Sequence, residues 1–342
     1  MARPEISFRI ELHTLWVLLA FGLVATVALV VSVAVGEFPI SPAEVVRTVV
    51  GRGEPQHAFI VMELRLPRAI VAFAVGAALG AAGVVFQGLT RNGLAAPEII
   101  GVAAGANLAA VVVIVILPDT PLALLPVAAM AGALVATALV YRLAWRGGTS
   151  PVRLILVGIA MTMIGHALVM AVVSTIDEVI HASQLVIFMA GSVYGKGWPE
   201  LTALAPWILV LLPLAVGWAR HLDVLRLGDH PARGLGAHVE RERFALMAIA
   251  AGLAGAAVAI AGPVGFVGLM APHIARRLVG AAHAAVLPVA AMAGGTIVIL
   301  ADALARTLFA PVEIPVGVMT AIVGAPFFLV LLFRITSHTP GP

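Results

Sequence analysis

The feature that most constrains this chain is a succession of apolar runs, each close to the length that a bilayer demands. A helix needs about 20 residues to cross the hydrocarbon core. Ten runs meet or approach that length: Leu15–Val35, Ala69–Leu89, Ala95–Leu117, Leu122–Tyr141, Leu154–Val173, Leu201–Ala219, Phe244–Ala261, Val264–Val279, Ala285–Phe309 and Val316–Phe333. The seventh and eighth almost touch, and the eighth is short. Leu185–Tyr194 is equally apolar but too brief to span, and reads as a partial or interfacial helix. Lipid offers no partner for unpaired backbone groups, so the runs must be helical. Strands of a membrane barrel would alternate apolar and polar residues, and these runs do not. The first run follows Arg3 and Arg9, as a signal peptide would. Its apolar core outruns the roughly 7–15 residues usual for such a peptide, so a retained helix is expected.

The expected fold is therefore all-α: one polytopic transmembrane domain over residues 1–342, with its first span at 15–35. Composition agrees. The chain is 62% hydrophobic and 11% charged, where soluble domains carry about 45–50% apolar and about 25% charged residues. Without cysteine, disulfides and thiolate metal sites are excluded. The sequence pI of about 10.1 could suggest nucleic acid, but the placement of the basic residues says otherwise. With ten spans and cytoplasmic termini, the inner segments hold Arg3, Arg9, Arg91, Arg142, Arg146, Arg153, Arg220, Arg226, Arg233, Arg241, Arg243, Arg276, Arg277 and Arg334. Only Arg47, Arg52, Arg65, Arg68, Lys196 and Arg306 fall outside. The positive-inside rule favours this orientation and explains the pI without a nucleic-acid partner.

Three loops are long: Gly36–Arg68 and Ser174–Glu200 outside, and Arg220–Arg243 inside, the last with five arginines. A faint repeat links Phe86-Gln87-Gly88-Leu89 before Ala96-Pro97 with Phe266-Val267-Gly268-Leu269 before Ala271-Pro272. Inverted halves of a transporter would produce it; so would coincidence.

Gly76, Gly80 and Gly83 share a face of the second helix, and Gly101 and Gly105 share one of the third. Small residues allow close helix packing, and they could equally make a smooth pathway wall. Asp302 and Arg306 are spaced to pair on one helix face, either as a structural pair or as a functional charge within the membrane. Glu98 lies at the start of the third helix, where a carboxylate complements the dipole. His166 and His273 stand alone and read as packing residues rather than metal ligands. No chain of buried carboxylates suggests a proton relay, which weakens an ATP-independent secondary transporter, and no H-E-x-x-H pattern suggests a membrane enzyme. In the inner loop, Asp229 suits the cap of a short helix with Pro231 in its first turn. Gly234 and Gly236 then break it. Such an ordered projection suits docking to a partner; a plain charged connector is the alternative. The chain has no G-x-x-x-x-G-K-[ST] loop, so any ATP that drives it is hydrolysed on another chain.

Several segments together resemble the permeases of the FecCD family, which includes the vitamin B12 importer permease. Leu64-Arg65-Leu66-Pro67-Arg68 matches its L-R-L-P-R. Gln87, Asn92, Leu94, Ala95 and Pro97 match Q-x-x-x-x-N-P-L-A-x-P, with Gly93 replacing the first proline, which loosens that turn. Gly228, Ala232, Leu235 and Gly236 match the coupling-loop pattern G-x-x-x-A-x-x-L-G. Gly262 to Leu269 with Pro272, His273 and Arg276 match another signature, as do Leu300-Ala301-Asp302 with Arg306, and Glu313, Pro315, Gly317, Thr320, Gly324 and Pro326. The resemblance runs from about Leu64 to Phe333.

It implies a type II ABC importer permease fold with two permease copies, identical or homologous, enclosing a pathway in the bacterial inner membrane. ATP-binding cassette subunits would dock on the loop at 220–243, notably Gly228, Asp229, Ala232, Arg233, Leu235 and Gly236. A periplasmic substrate-binding protein would dock on Arg65, Arg68 and Arg306, since the arginine fork grips carboxylates in two places. Gly76, Gly80, Gly83, Gln87, Asn92, Gly101 and Gly105 would line the pathway or pack its helices. No cofactor or metal is expected on this chain, ATP being bound by the partner. Gly191-Ser192 with Gly195 and Trp198 resembles a stretch common in ferric-siderophore members, and points to such a substrate ahead of haem or vitamin B12.

Overall fold

The computed structural model describes residues 12–117, 121, 124–146, 148, 150–174, 186–310 and 312–336. Arg3, Arg9 and Leu122, used in the sequence reading, lie outside the described residues. Helix α1 (Leu12–Ala34) is mostly apolar, with His13 near its start and Ser32 near its end. The outer segment then forms α2 (Pro42–Val49), opened by Ser41, whose Oγ accepts from the Glu44 N–H at 3.2 Å. Next, α3 (Pro55–Phe59) widens into a π-helical turn (Ile60–Arg65) and runs on as α4 (Leu66–Thr90). The remaining helices are α5 (Val102–Ile116), α6 (Leu125–Ala144), α7 (Pro151–Val173), α8 (Trp198–Gly217), α9 (Ala219–Arg226), α10 (Asp229–Gly234), α11 (Val239–Ala261), α12 (Val267–Val279), α13 (His283–Leu308) and α14 (Val316–Thr336).

Among the described residues, eight helices are long and apolar enough to cross a membrane. Two of the ten expected spans are not. The third begins at Val102, not Ala95, because Gly101 turns left-handed at φ +81° and residues 91–101 are not helical. The eighth is only 13 residues, Val267–Val279, about 20 Å of helix, against a hydrocarbon core of about 30 Å. Of the run Leu185–Tyr194, residue 185 lies outside the described residues, residues 186–189 form one helical turn, and the rest is loop.

Helix α4 is the axis of the packing. It lies against α13, α11, α12 and α8, and 83% of its apolar window is buried, against 17% for α7. Glycines make this possible. A Cβ on Gly76, Gly80 or Gly83 would run into the carbonyls of Gly294, Ala290 and Gly268 respectively. On α5, Gly105 meets the backbone of Gly132 in α6 in the same way. All four glycines serve helix contact. Gly101 ends the loop before α5, and a Cβ there would press on the carbonyl of Gly158 and on Met161 in α7, so it too lies at a helix contact.

The two short helices start side by side within the bundle. Pro97, just ahead of α5, packs on Gly268 in the first turn of α12. That turn lies beside Leu79 and Gly83, past the midpoint of α4. The segments sharing the faint repeat therefore touch. From this contact α5 and α12 run in opposite directions, and Leu278 near the end of α12 accepts from His13 at the start of α1 (2.8 Å).

Candidate functional site

Ion pairs cluster at the two ends of the bundle. At one end meet the end of α1, the start of α4, the end of α13 and the segment before α14. Arg68 is 9% exposed and Asp302 1%. Arg68 donates from Nη2 (2.8 Å) and Nε (3.2 Å) to Asp302 Oδ1, and from Nη1 to Glu313 (3.0 Å). Its guanidinium lies 5.6 Å from the centre of the Tyr194 ring. Arg306 pairs with Asp302 Oδ2 through Nε at 3.3 Å, the helical pairing that the spacing predicts, and donates from Nη2 to the backbone oxygen and hydroxyl of Ser32. Arg65 has no carboxylate partner among the described residues. It donates to the carbonyls of Val33 (2.9 Å), Ala34 (3.3 Å) and Phe38 (2.7 Å), which stitches α1 to α4.

Arg65, Arg68, Arg306, Tyr194 and Glu313 line a cavity of about 490 Å³ that also holds Glu63 and Lys196, while Asp302 lies behind its wall. Arg65, Arg68 and Arg306 are thus brought together as one cluster, yet Arg68 and Arg306 are largely turned inward. Glu313 enters the cluster although spacing alone gave no reason to pair it with Arg68. Lys196 joins them from a separate loop, where burial holds its ammonium below the usual lysine range despite the nearby Glu200 carboxylate.

At the other end, Asp229 does not cap its helix. Gly228 takes that position, and the Asp229 carboxylate instead bridges two other elements. Its Oδ1 accepts from Arg91 Nη2 at the end of α4 (2.6 Å) and from Arg243 Nη2 in α11 (2.9 Å). Burial alone would raise its pKa, but Arg243 and Arg91 outweigh burial and hold it below the usual carboxylate range. Ala232 is fully buried under the turn, while Leu235 is 66% exposed and Arg233 is also exposed. Gly236 follows with φ +85° and open space around it. A short, clamped helix and the turn that ends it therefore display His230, Pro231, Arg233 and Leu235 to solvent.

Gln87 and Asn92 serve the chain's own geometry. Gln87 Nε2 leans on the carbonyl of Gly268 at 3.4 Å. Asn92 Oδ1 accepts from the Leu94 N–H at 2.9 Å, in the turn where Arg91 goes left-handed at φ 50°. Glu98 lies in the irregular segment ahead of α5, where its carbonyl accepts from Thr162. His273 packs edge-on against Phe327. His166, expected as a packing residue, is exposed on α7 beside exposed Met163 and Met170. Among the described residues no group of three or more His, Asp and Glu side chains could hold a metal.

A bundle of apolar helices of membrane-spanning length with charge networks at both ends defines a polytopic membrane protein. The chain belongs to the FecCD transport family, whose model matches residues 23–334. It is 40% identical over 324 residues to the Fe(3+)-citrate import system permease protein YfmE of Bacillus subtilis, covering 95% of this chain and 96% of that protein. It is 39% identical over 320 residues to the iron(3+)-hydroxamate import system permease protein FhuG of Bacillus subtilis, with 91% and 95% covered. It is also 39% identical over 283 residues to the cobalamin import system permease protein BtuC of Halobacterium salinarum, with 82% and 75% covered. A solved structure described as an inward-facing metal-chelate type ABC transporter superposes with a TM-score of 0.81 at 30% identity, covering 94% of this chain and 99% of the other. The chain is a permease subunit of the ABC importer class and not itself the ATPase.

Proposed function

We propose that this chain forms the translocation pathway for a ferric siderophore in a binding-protein-dependent importer of the bacterial inner membrane, with both termini cytoplasmic. What carries the substrate reading is that permeases of ferric-citrate, siderophore and ferric-hydroxamate import systems are similar to this chain over more than nine-tenths of its length. The Gly191-Ser192 segment supports it through its resemblance, with Gly195 and Trp198, to ferric-siderophore members. Gly191, at φ +76°, is packed so closely on Pro263 that a side chain would not fit, and its carbonyl accepts from Gly317 N at the start of α14.

The partners follow the charge layout. The arginine-rich Asp229 end faces the cytoplasm by the positive-inside rule. There Arg233, Leu235 and Gly236 meet an ATP-binding cassette subunit, which alone binds ATP. At the Asp302 end, Arg65, Arg68 and Arg306 present a basic surface to carboxylates of a substrate-binding protein, with Arg65 the contact and the Arg68–Asp302–Arg306 network its support. A second permease copy, identical or homologous, faces α7. An imidazole on a membrane helix is rarely turned to lipid, so the His166 face meets water or protein. The whole chain acts as one membrane domain, with lipid around the rest.

The test is uptake into proteoliposomes carrying this permease with its ATPase and binding protein. Ferric siderophore uptake should exceed haem and cobalamin uptake and require both partners. Preferential transport of haem or cobalamin would overturn the substrate reading. Uptake without binding protein or ATP would overturn the mechanism.

A further inference from the structure

Between the ends of α4, α9 and α12 and the start of α13 lies a cavity of about 170 Å³. Arg91, Arg226, Arg276 and His283 line it beside Gln87 and Gly88, and no carboxylate does. Charges withdrawn from water are ordinarily paired. Two of these four are: Arg91 by Asp229 and His283 by Asp223, each at 2.6 Å. Neither aspartate lines the cavity. Arg226, which is exposed at the rim of the cavity, reaches only the carbonyl of Ala281 among the described residues, at 3.5 Å. The Arg276 side chain, half-buried, has no hydrogen bond or ion pair among the described residues, and its Nη2 is shut away from solvent. The Oε1 of Gln87 is likewise buried without a partner.

Arginines that merely satisfy the positive-inside rule extend into the headgroup layer. Arg277, the next residue, is exposed in that manner. Arg276 instead turns into the wall of a cavity that it shares with a second arginine. Two guanidiniums facing one space repel each other unless an anion lies between them. The guanidinium fork matches phosphate geometry, and the space is of the size of one such group rather than of an iron chelate. Basic pockets between helices on the cytoplasmic side are a known way to hold anionic lipid headgroups.

We propose that Arg226 and Arg276 bind a phosphate group in this cavity, either the phosphate of an anionic phospholipid or free phosphate. The bound group would tie α9, which leads directly into the Asp229 helix, to α12 and α13. The purified chain tests this directly, as wild type, R226Q, R276Q and R226Q/R276Q, with R277Q as the control outside the cavity. After delipidation, cardiolipin, phosphatidylglycerol or phosphatidylcholine is added back and retained lipid is counted by native mass spectrometry. In parallel, inorganic phosphate is titrated against thermal stability. We expect wild type and R277Q to retain an anionic phospholipid, or to be stabilised saturably by phosphate, with at least tenfold weaker binding in the double variant. Retention of lipid without a phosphate response assigns the headgroup; a phosphate response without lipid selectivity assigns the free anion. The wild-type titration stands even if the double variant fails to fold, and the single variants then supply the comparison. The proposal is overturned if wild type responds in neither arm. It is equally overturned if the variants bind as wild type does, or if their only defect is weaker binding of the ATPase subunit, which would make the cavity a socket for a protein carboxylate.

Discussion

Replacing Asp302 with alanine removes the one carboxylate shared by two buried arginines. Asp302 is 1% exposed, and Arg68 and Arg306 are each 9% exposed. After truncation Arg68 keeps Glu313 at 3.0 Å and the face of Tyr194. Arg306 keeps only the Ser32 oxygens. Breaking a buried ion pair from one side costs about 3–5 kcal/mol, mostly because a charge is left uncompensated. Since Arg68 retains a carboxylate, the deficit falls mainly on Arg306, and a loss of about 3 kcal/mol, at the low end of that range, is expected. If so, adding Arg306→Gln to Asp302→Ala should return part of the loss, about 1–2 kcal/mol below the sum of the single effects. Reversible unfolding in mixed micelles of mild detergent and SDS, followed by tryptophan fluorescence, measures all three variants. A loss below about 1 kcal/mol, the range of solvated surface pairs, together with additive double-variant behaviour, would refute the buried network.

Asp229 should behave as an acid-sensitive clamp. Its folded pKa is depressed, so its contribution is complete at neutral pH and is lost only as pH falls through that lowered value, below about 4. Asp229→Asn should reproduce the loss at pH 7, read as faster amide hydrogen exchange across residues 229–236; unchanged exchange would contradict the clamp. Gly236→Val forces a β-branched residue to φ +85°, costing about 1–2 kcal/mol locally, and should lower transport per ATP hydrolysed while the protein remains folded, as measured in proteoliposomes. Because the chain has no cysteine, His166→Cys gives a single labelling site. It should react with a membrane-impermeant thiol reagent in the assembled importer, whereas Leu209→Cys, 73% exposed on α8, should not; equal labelling of the two would undo the assignment of the α7 face. Gly83→Leu should prevent accumulation of folded protein, checked by size-exclusion profile, because the carbonyl of Gly268 occupies the space that the side chain needs.

The order of helices and the Asp302–Arg306 pairing were legible in the sequence. Apolar length and the helical period are local properties, summed over neighbours along the chain. Hydropathy showed the eighth run to be short but could not show that α5 is, because it measures preference for lipid and not helicity. Ala95 to Gly101 is apolar enough to extend a span, yet Gly101 turns left-handed and the helix waits until Val102. Nor could spacing reveal that Arg68 holds Asp302 from 234 positions away, that Asp229 bridges α4 and α11 instead of capping its own helix, or that Arg226 and Arg276 open on one cavity. Those pairings depend on which helices become neighbours and at what depth their charges meet. That is decided by the close approach of α4 to α12 and α13 through glycines whose partners, Gly268, Ala290 and Gly294, lie far along the chain. Local composition sets where each helix can sit across the bilayer, and only the packed bundle determines which charge finds a counterion and which is left to bind something else.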